Sequence, residues 1–187
     1  MKVAFTFDDG PGIHTKALLK GLKQRNIKAT FFVVGENVIK NKKLLKLISK
    51  DGHEVGNHTF SHQKFSDVDY NQYIDSISQN NILIEKIIKK KPKFYRPPYG
   101  DLDKRVDDET QMTHVLWNVC AFDWENKSSK EIKEIVFSQL KEENVILLHE
   151  TYNETVKAVF DIIDDLKSKG CEFVTLEEIS KECYDSL

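Results

Sequence analysis

Short apolar runs alternate along this chain with longer segments of helical apolar spacing, and this alternation is the feature that most narrowly limits the fold. The runs predicted as strands are residues 3–7, 29–34, 115–119, 145–148 and 172–174. Strands that alternate with helices form a parallel sheet, either open or closed into a barrel. The chain has 187 residues, which is long enough for a single domain covering residues 1–187.

Apolar residues at helical spacing predict helices between and after these strands. The helices cover residues 15–25, residues 44–48 with an end at Gly52, residues 73–88, 132–140 and 156–166, and a segment from about residue 176. Two pairs of residues have the spacing of a capping box at a helix start, namely Ser128 with Glu131 and Thr151 with Glu154. We therefore expect helices to begin at these two points.

The charge balance of the chain excludes two classes of partner. There are 28 lysines and arginines and 30 aspartates and glutamates, which give a net charge of -2 at pH 7. Nucleic acids and anionic membrane surfaces both select proteins with a basic excess, so neither is an expected partner. No apolar run approaches the ~18 residues that a membrane-spanning helix requires, so no membrane span is expected.

The cysteines and the N-terminus bear on the cellular location. Cys120, Cys171 and Cys183 are widely spaced and include no CxxC pair, so neither a disulfide framework nor a cysteine zinc site is expected. Reduced thiols suit the cytosol. The first predicted strand begins at Val3, and no signal peptide is visible before it. These features indicate a cytoplasmic protein, or an extracellular one from which a leader has been trimmed.

Polar residues directly follow several of the apolar runs. They are Asp8, Asp9, His58, Asp123 and His149. In parallel sheets and barrels, active residues gather at the carboxyl ends of the strands. We therefore expect these side chains to meet at one edge of the sheet.

One of these clusters has the spacing of a metal site. The segment NHTFSH at residues 57–62 places His58 and His62 four residues apart. On a helical turn, two side chains at this spacing lie on one side and can bind one metal ion together. The same spacing also arises by chance between two structural histidines, so the pair alone leaves both interpretations open.

A second cluster consists of two adjacent carboxylates at a predicted strand end. In the segment TFDDGP at residues 6–11, Gly10 and Pro11 form a tight turn that holds Asp8 and Asp9 in place. The two negative charges repel each other, and a divalent cation would remove that repulsion. One carboxylate could then bind the metal while the other acts as a base, although spacing alone does not assign the two roles. A turn exposed to water is the alternative.

Three further segments could contribute chemistry at the same edge. In RPPYG at residues 96–100, the prolines stiffen a loop whose leading Arg96 can form a bidentate pair with a carboxylate. The pair Asp123-Trp124 follows a predicted strand. His149 ends another strand and could act as a general acid if a carboxylate partner orients it and raises its pKa. Each segment, considered alone, is also compatible with an ordinary surface role.

In their order along the chain, the segments TFDDGP, NHTFSH, RPPYG, DW and LLH resemble the motifs of the polysaccharide deacetylase family, which is carbohydrate esterase family 4 with its NodB-homology domain. The resemblance runs from about Val3 to His149 and includes the linking stretches KATFFVVG and GHEVGNH. It implies an α/β fold, a distorted (β/α) barrel with fewer than the usual eight units in a single domain.

The resemblance also implies a metal site with its base. Asp9, His58 and His62 resemble the three protein ligands of a divalent metal, which is usually zinc, with cobalt or nickel as alternatives. Asp8 resembles the general base, and Arg96 resembles the residue that orients this base. A metal with three protein ligands keeps open positions for water and for the acetyl oxygen.

The remaining motif residues resemble the acid and the substrate contacts of the family. His149 resembles the general acid, tuned by Asp123. Tyr99 would donate its backbone N–H to the oxyanion, while Trp124 and Leu147 would line the groove and the acetyl pocket. Amide hydrolysis needs a nucleophilic water, a stabilised oxyanion and a protonated leaving amine, and this allocation supplies all three.

One segment departs from the family pattern. The fourth motif of the family commonly has an aspartate and a small hydroxyl residue shortly before its Asp-Trp pair, where this chain has Cys120 and Ala121. We therefore expect altered support around His149 and lower activity. Cys120 itself is expected to be an inert buried thiol rather than a metal ligand.

The implied activity is removal of N-acetyl groups from N-acetylglucosamine units of a polysaccharide or its oligomers, by a monomeric enzyme. The residues after His149 weakly favour a chitin-like substrate, and peptidoglycan and acetylxylan are alternatives. Two other functions remain open. One is a catalytically silent carbohydrate-binding homologue, which the change at Cys120 and Ala121 would support. The other is a metal-dependent hydrolase of non-sugar C–N bonds, which the complete set of sugar-hydrolase motifs disfavours.

Overall fold

A single curled sheet organises the computed structural model, which describes residues 1–185 with eight strands. The strands are β1 Lys2–Gly10, β2 Thr30–Val33, β3 Glu54–Asn57, β4 Phe94–Tyr95, β5 Thr113–His114, β6 Val119–Cys120, β7 Glu143–His149 and β8 Glu172–Phe173. All pairs are parallel, in the order β5-β4-β3-β2-β1-β7-β6, and β8 pairs with β1. The predicted distorted barrel with fewer than eight units is confirmed.

Helices connect the strands. Within residues 1–185 they are α1 Thr15–Gln24, α2 Gly35–Lys40, α3 Lys42–Lys50, α4 Tyr70–Ile88, α5 Arg105–Thr110, α6 Ser129–Gln139 and α7 Asn153–Ser168. None of them combines the length and the apolar character that crossing a bilayer demands.

The larger apolar core lies between the sheet and its helices. It contains Val3, Phe5 and Phe7 of β1 together with residues such as Leu18 of α1 and Val159 of α7. Both faces of β1 are covered, which explains why this strand has a continuous apolar run instead of an alternating pattern. Each large apolar side chain buried here stabilises the fold by about 1.5–3 kcal/mol.

A smaller apolar cluster covers the other face of the sheet. Ala4 and Val145, which alternate with the core residues of β1 and β7, pack in one cluster with Leu176 and Tyr184 from the C-terminal segment. This segment therefore closes the interior of the partial barrel near the start of β1 and β7. The polar ends of the same strands stay open to solvent.

The predicted strand at residues 115–119 is wrong. β5 ends at His114 and β6 begins at Val119, and the backbone between them is bound elsewhere. The N–H of Leu116 donates to the carbonyl of Tyr184, and the carbonyls of Val115 and Leu116 accept hydrogen bonds from the side chain of Arg96. These competing partners replace the ladder that an apolar run would otherwise form.

Of the two predicted capping boxes, one is confirmed and one is wrong. Ser128 and Glu131 cap α6 reciprocally. At α7, Tyr152 occupies the N-cap and its side chain makes no capping hydrogen bond. The carboxylate of Glu154 instead accepts the N–H of Ser129, 3.2 Å away, so a contact between two elements replaces the local cap.

Other elements differ from their predictions or were not predicted. The helix predicted from residue 176 consists only of the short 3-10 turns Leu176–Glu178 and Lys181–Cys183. Helix α2 was not predicted, because in its six residues only Gly35 and Val38 are buried and no apolar period can develop.

Candidate metal centre and active-site cavity

The register of the parallel strands places the predicted site residues side by side at one edge of the sheet. Asp8 of β1 lies opposite His149 of β7. β3 and β4 are paired at their last residues, so the next residues along each chain segment, His58 and Arg96, leave the sheet next to each other. This register confirms the expectation that the strand-end residues lie together at one edge of the sheet.

These strand ends border a cavity of about 480 Å³, a size that accommodates small ligands such as sugar residues. The cavity is lined by Asp8, Asp9, His58, His62, Pro97, Tyr99, Trp117, Trp124, Leu147, His149 and Tyr152. Among the predicted site residues only Arg96 and Asp123 do not line it. Both are buried, and each is hydrogen-bonded to a residue that does.

Three side chains in the cavity converge in the manner of a metal site. Asp9, His58 and His62 each offer one ligand atom, and these atoms lie within 4.8 Å of one another. Oδ1 of Asp9 is 3.5 Å from Nε2 of His58 and 3.1 Å from Nε2 of His62. This oxygen is buried and makes no well-formed hydrogen bond. Burying a carboxylate oxygen without a hydrogen bond costs free energy, and a cation among the three atoms would remove that cost. Carboxylate and imidazole donors suit zinc and related divalent ions.

The charge state of Asp9 suits the same role. Burial disfavours its ionisation, but the adjoining imidazoles of His58 and His62 and the charges of His58 and His149 more than offset burial and hold the pKa of Asp9 far below its usual range. The carboxylate therefore stays available as an anionic ligand across the physiological pH range.

A hydrogen bond on the far side of His58 fixes its tautomer. Nδ1 of His58 is 2.7 Å from the backbone carbonyl oxygen of Arg96, which can only accept a hydrogen bond. In the neutral ring the proton is therefore on Nδ1, and the lone pair on Nε2 faces Asp9. Outer contacts of this kind orient metal-binding histidines and set their basicity.

The spacing of His58 and His62 predicted that they lie on a helical turn, and this prediction is wrong. Residues 58–64 form no regular secondary structure, and Thr59 and His62 have left-handed backbones with φ values of 61° and 57°. This irregular turn brings the rings of His58 and His62 to a centroid distance of 4.9 Å. The predicted convergence of the two rings is present, but a different backbone produces it.

Asn80 of α4 holds this turn and was not identified from the sequence. Its side-chain amide donates to the carbonyls of Val33 and Thr59, at 2.9 and 2.8 Å, and lies 3.1 Å from Oδ1 of Asn57. That oxygen also accepts the N–H of Thr59. An asparagine on the apolar face of a predicted helix was the signal that could have revealed it.

Arg96 is fully buried and holds Asp8. Its Nη1 donates to Oδ1 of Asp8 and to Oγ1 of Thr6, both at 2.8 Å. Nε and Nη2 donate to the carbonyls of Val115 and Leu116. The contact with Asp8 is therefore a single hydrogen bond and not the predicted bidentate pair, because two of the guanidinium nitrogens are occupied by the backbone between β5 and β6.

His149 and Asp123 form a hydrogen-bonded pair. Oδ1 of Asp123 is 2.8 Å from Nδ1 of His149, while Oδ2 accepts the backbone N–H of His149 and the hydroxyl of Thr155. Burial lowers the pKa of His149, but the hydrogen bond and charge of Asp123, together with the charges of Asp8 and Asp9, more than offset burial, so the pKa lies above its usual value. With Nδ1 held in this way, Nε2 is the ring nitrogen left for a ligand in the cavity.

The three predicted substrate contacts are all at the cavity. Tyr99 is largely exposed, with a left-handed backbone at φ 61°, and its ring centroid is 4.9 Å from that of His62. The rings of Trp124 and His149 are 5.3 Å apart at 89°. Leu147 is buried on β7 and contributes an apolar wall. Two further aromatic residues of the lining, Trp117 and Tyr152, had no distinguishing signal in the sequence.

Cys120 lies outside this cavity. Its backbone N–H and carbonyl both pair with the side-chain amide of Gln139, at 3.0 and 2.8 Å. The thiol borders a separate groove at the edge of β6, and burial raises its pKa to about 11. These features agree with an inert thiol that takes no part in the metal site. Ala121 is fully buried in the larger core.

Sequence comparisons agree with this geometry. Residues 1–115 match the family model described as polysaccharide deacetylase. The chain is 38% identical over 183 residues to a peptidoglycan-N-acetylglucosamine deacetylase of Bacillus cereus, covering 94% of this chain and 66% of that protein. It is 35% identical over 184 residues to the peptidoglycan-N-acetylmuramic acid deacetylase PdaC of Bacillus subtilis, covering 96% of this chain. The chain spans only 39% of the length of PdaC.

Solved structures are similar over nearly the whole chain. The structure of PdaC superposes with a TM-score of 0.90 at 34% identity and covers 94% of this chain and 88% of that one. A family 4 acetyl xylan esterase of Clostridium thermocellum, solved in complex with a cobalt ion, gives a TM-score of 0.87 at 34% identity, with 95% and 89% covered. The family model, these identities and the shared fold show that the chain belongs to the polysaccharide deacetylase family, carbohydrate esterase family 4.

Proposed function

We propose that this chain is a metal-dependent hydrolase that removes the N-acetyl group from N-acetylglucosamine residues of peptidoglycan. The observation that carries the proposal is the convergence of Asp9, His58 and His62 in a cavity that also presents Asp8 and His149. A metal site with a base and an acid beside it can supply the activated water, the stabilised oxyanion and the protonated leaving amine of amide hydrolysis. Relatives named as peptidoglycan deacetylases favour this polymer over the chitin-like substrate that the sequence favoured.

Asp8 is the residue that accepts the proton of the attacking water. Arg96 orients its carboxylate through Oδ1, and Oδ2 lies 3.6 Å from Nε2 of His58, next to the metal-binding atoms. A divalent ion bound there would supply Lewis-acid activation of the water and of the acetyl carbonyl. Because Asp8 is buried and its carboxylate is fixed by the hydrogen bond from Arg96, it loses little orientational freedom when the substrate binds.

His149 is the residue that protonates the sugar nitrogen as the C–N bond breaks. Asp123 fixes the ring through Nδ1 and favours its protonated form, so Nε2–H can be directed at the leaving amine. The N–H of Tyr99 would donate to the oxyanion, and Leu147 would contact the acetyl methyl group. Trp124 restricts the His149 ring from one side and lines the groove.

Zinc is the metal that we propose for this site. Two imidazoles and one carboxylate form a ligand set typical of catalytic zinc, with positions left open for the substrate. Cobalt and nickel accept the same donors. The cobalt ion in the related esterase supports a site that accepts more than one divalent metal.

The charges of the cavity favour N-acetylglucosamine over N-acetylmuramic acid as the reacting sugar. Among the described residues, no lysine or arginine lines the cavity, whereas Asp8 and Asp9 do. N-acetylmuramic acid carries a lactyl group with a carboxylate or a peptide. Apart from the metal-binding histidines and His149, which the hydrolysis itself uses, the lining has no basic side chain that would pair with such a charge. N-acetylglucosamine is neutral and needs no counter-charge.

Acetate release measured by mass spectrometry tests the proposal. The zinc-loaded protein would be incubated with peptidoglycan fragments, N-acetylglucosamine oligomers and acetylated xylan. We expect acetate from the first two, loss of activity on chelation and recovery with added zinc. In peptidoglycan the acetyl group should be lost from N-acetylglucosamine.

Two results would count against the proposal in different ways. Acetyl loss from N-acetylmuramic acid alone would contradict the sugar assignment while keeping the hydrolase. No acetate from any of the three polymers, with zinc bound to the protein, would overturn the enzymatic function.

A further inference from the structure

The exposed aromatic side chains of residues 1–185 are gathered at this one cavity. Tyr99 is 68% exposed, Phe122 39%, Trp124 40% and Tyr152 38%. Three of them line the cavity, whereas Phe122 lies beyond it with its ring 5.5 Å from that of Trp124. The pair Phe122 and Trp124, here called the aromatic platform, therefore continues the cavity outward on the side of His149. No step of the proposed hydrolysis uses Phe122.

The backbone of Phe122 is strained. Its φ is 49°, a left-handed conformation that bulky L residues rarely adopt. Of the nine non-glycine residues with this conformation among residues 1–185, three line the cavity, namely Asp9, His62 and Tyr99, and five others lie elsewhere. A phenylalanine that is both strained and partly exposed gains little from burial, and such strain is typical of ligand-binding positions.

The chemistry of the platform selects its occupant. Its surface is aromatic and continuous with a cavity proposed to hold one acetylated sugar. The C–H groups on the face of a pyranose ring form a flat apolar surface that packs on aromatic rings. We propose that Phe122 and Trp124 bind the sugar residue adjoining the one that is deacetylated, so that Phe122 determines a preference for oligomers over single sugars. This inference rests on the proposed function.

Two substitutions at Phe122 separate binding from folding. Asparagine adopts the left-handed conformation more readily than phenylalanine and removes the ring, so Phe122→Asn should lose oligomer binding while keeping its Tm within about 4 °C of the wild type. Phe122→Trp should keep the preference for oligomers. Lys89→Asn is a matched control, because Lys89 has φ 58° at the end of α4, and this variant should leave the kinetics unchanged.

The measurements are kcat/KM for the N-acetylglucosamine tetramer, for the monosaccharide and for an aryl acetate ester. In Phe122→Asn we expect kcat/KM for the tetramer to fall by about threefold to tenfold, the range of one aromatic contact. The values for the monosaccharide and the ester should stay unchanged. Calorimetric titration of the zinc-loaded protein with the tetramer should show the same loss of affinity.

The outcomes separate the platform from the hydrolase. Unchanged tetramer affinity and kcat/KM in Phe122→Asn, or an equal loss on all substrates, would overturn the platform. A large drop in Tm would show that the ring serves the fold and would also overturn it. If the wild type releases no acetate, yet binds the tetramer and loses that binding in Phe122→Asn, the platform stands and the proposed hydrolase fails.

Discussion

Two histidine–aspartate pairs in this fold are built alike and face different surroundings. His149 ends β7 and its Nδ1 is 2.8 Å from Asp123, whereas His114 ends β5 and its Nδ1 is 2.6 Å from Asp107. Nε2 of His114 lies 3.1 Å from the carbonyl oxygen of Asp185 in the C-terminal segment. Within residues 1–185 no such partner occupies Nε2 of His149, which lines the cavity.

The difference shows that a histidine at the end of a parallel strand is not by itself a sign of catalysis. Both ring nitrogens of His114 are engaged, so this side chain bridges a sheet edge to the chain terminus and has no atom left for a substrate. His149 has one nitrogen fixed and one available, which is the arrangement that proton transfer needs. What distinguishes His114 from His149 is whether Nε2 has a protein partner, since both residues lie at the end of a strand.

The largest expected effect is on turnover. Removing a positioned proton-transfer group lowers the rate by ~10²–10⁴, so His149→Ala should lose that factor in kcat on amide substrates. His114→Ala should keep kcat close to the wild-type value and lower Tm instead, because it removes two partly buried hydrogen bonds of a buried ring. Steady-state kinetics and thermal unfolding of both variants measure the contrast.

An activated acetyl ester is the control for this prediction, because its leaving group needs no proton. His149→Ala should lose much less activity on the ester than on the amide. Equal losses on both substrates would rule out the general-acid role and reassign His149 to binding or structure.

A smaller effect is expected in the pH profile of kcat/KM. The falling limb reports loss of the proton from His149, whose pKa is raised by Asp123 against the effect of burial. Asp123→Asn removes this support and should move the falling limb to lower pH by roughly 1 unit. Asp107→Asn should not move it. A falling limb at the wild-type position in Asp123→Asn would break the proposed link between the two residues.

The smallest expected effect concerns Glu150, which directly follows His149 and takes no part in the cavity. Its carboxyl is fully buried against Gly10 and has no well-formed hydrogen bond, and burial raises its pKa to about 8. The folded state keeps the proton up to that pH, whereas the unfolded chain releases it near 4.5. Stability from this group is therefore complete below about pH 4.5 and declines as the pH rises towards 8.

Glu150→Gln tests this account, because glutamine cannot ionise. The variant should lose less stability than the wild type between pH 5 and pH 8, as measured by denaturant unfolding of the zinc-loaded protein. The same loss of stability in both proteins would contradict this account. It would show that the carboxyl of Glu150 is already ionised in the folded state or is solvated by water.

Much of the candidate site could be predicted because its residues directly follow apolar runs in the sequence. Apolar runs located β1 and β7, and the polar residues after them, including Asp8, Asp9 and His149, meet at the sheet edge as parallel pairing requires. The metal-binding pair His58 and His62 was visible from its spacing, although the spacing suggested a helix.

The remaining features depend on contacts that a local pattern does not contain. The left-handed turn through Thr59 depends on Asn80, which is 21 residues away in the chain. The single bond from Arg96 to Asp8 follows from backbone carbonyls around residue 115, and the same competition removes the strand predicted there. Tyr152 has no periodic or motif signal, so only the fold shows that it lines the cavity.

Metal content is the most direct test of the central claim that Asp9, His58 and His62 form a catalytic metal site. Chelated protein would be reloaded with zinc, dialysed and analysed by elemental mass spectrometry. The wild type and His149→Ala should each retain one zinc per chain, whereas Asp9→Ala, His58→Ala and His62→Ala should lose most of it. Full zinc occupancy in all three ligand variants would contradict the account, because the metal would then be bound elsewhere.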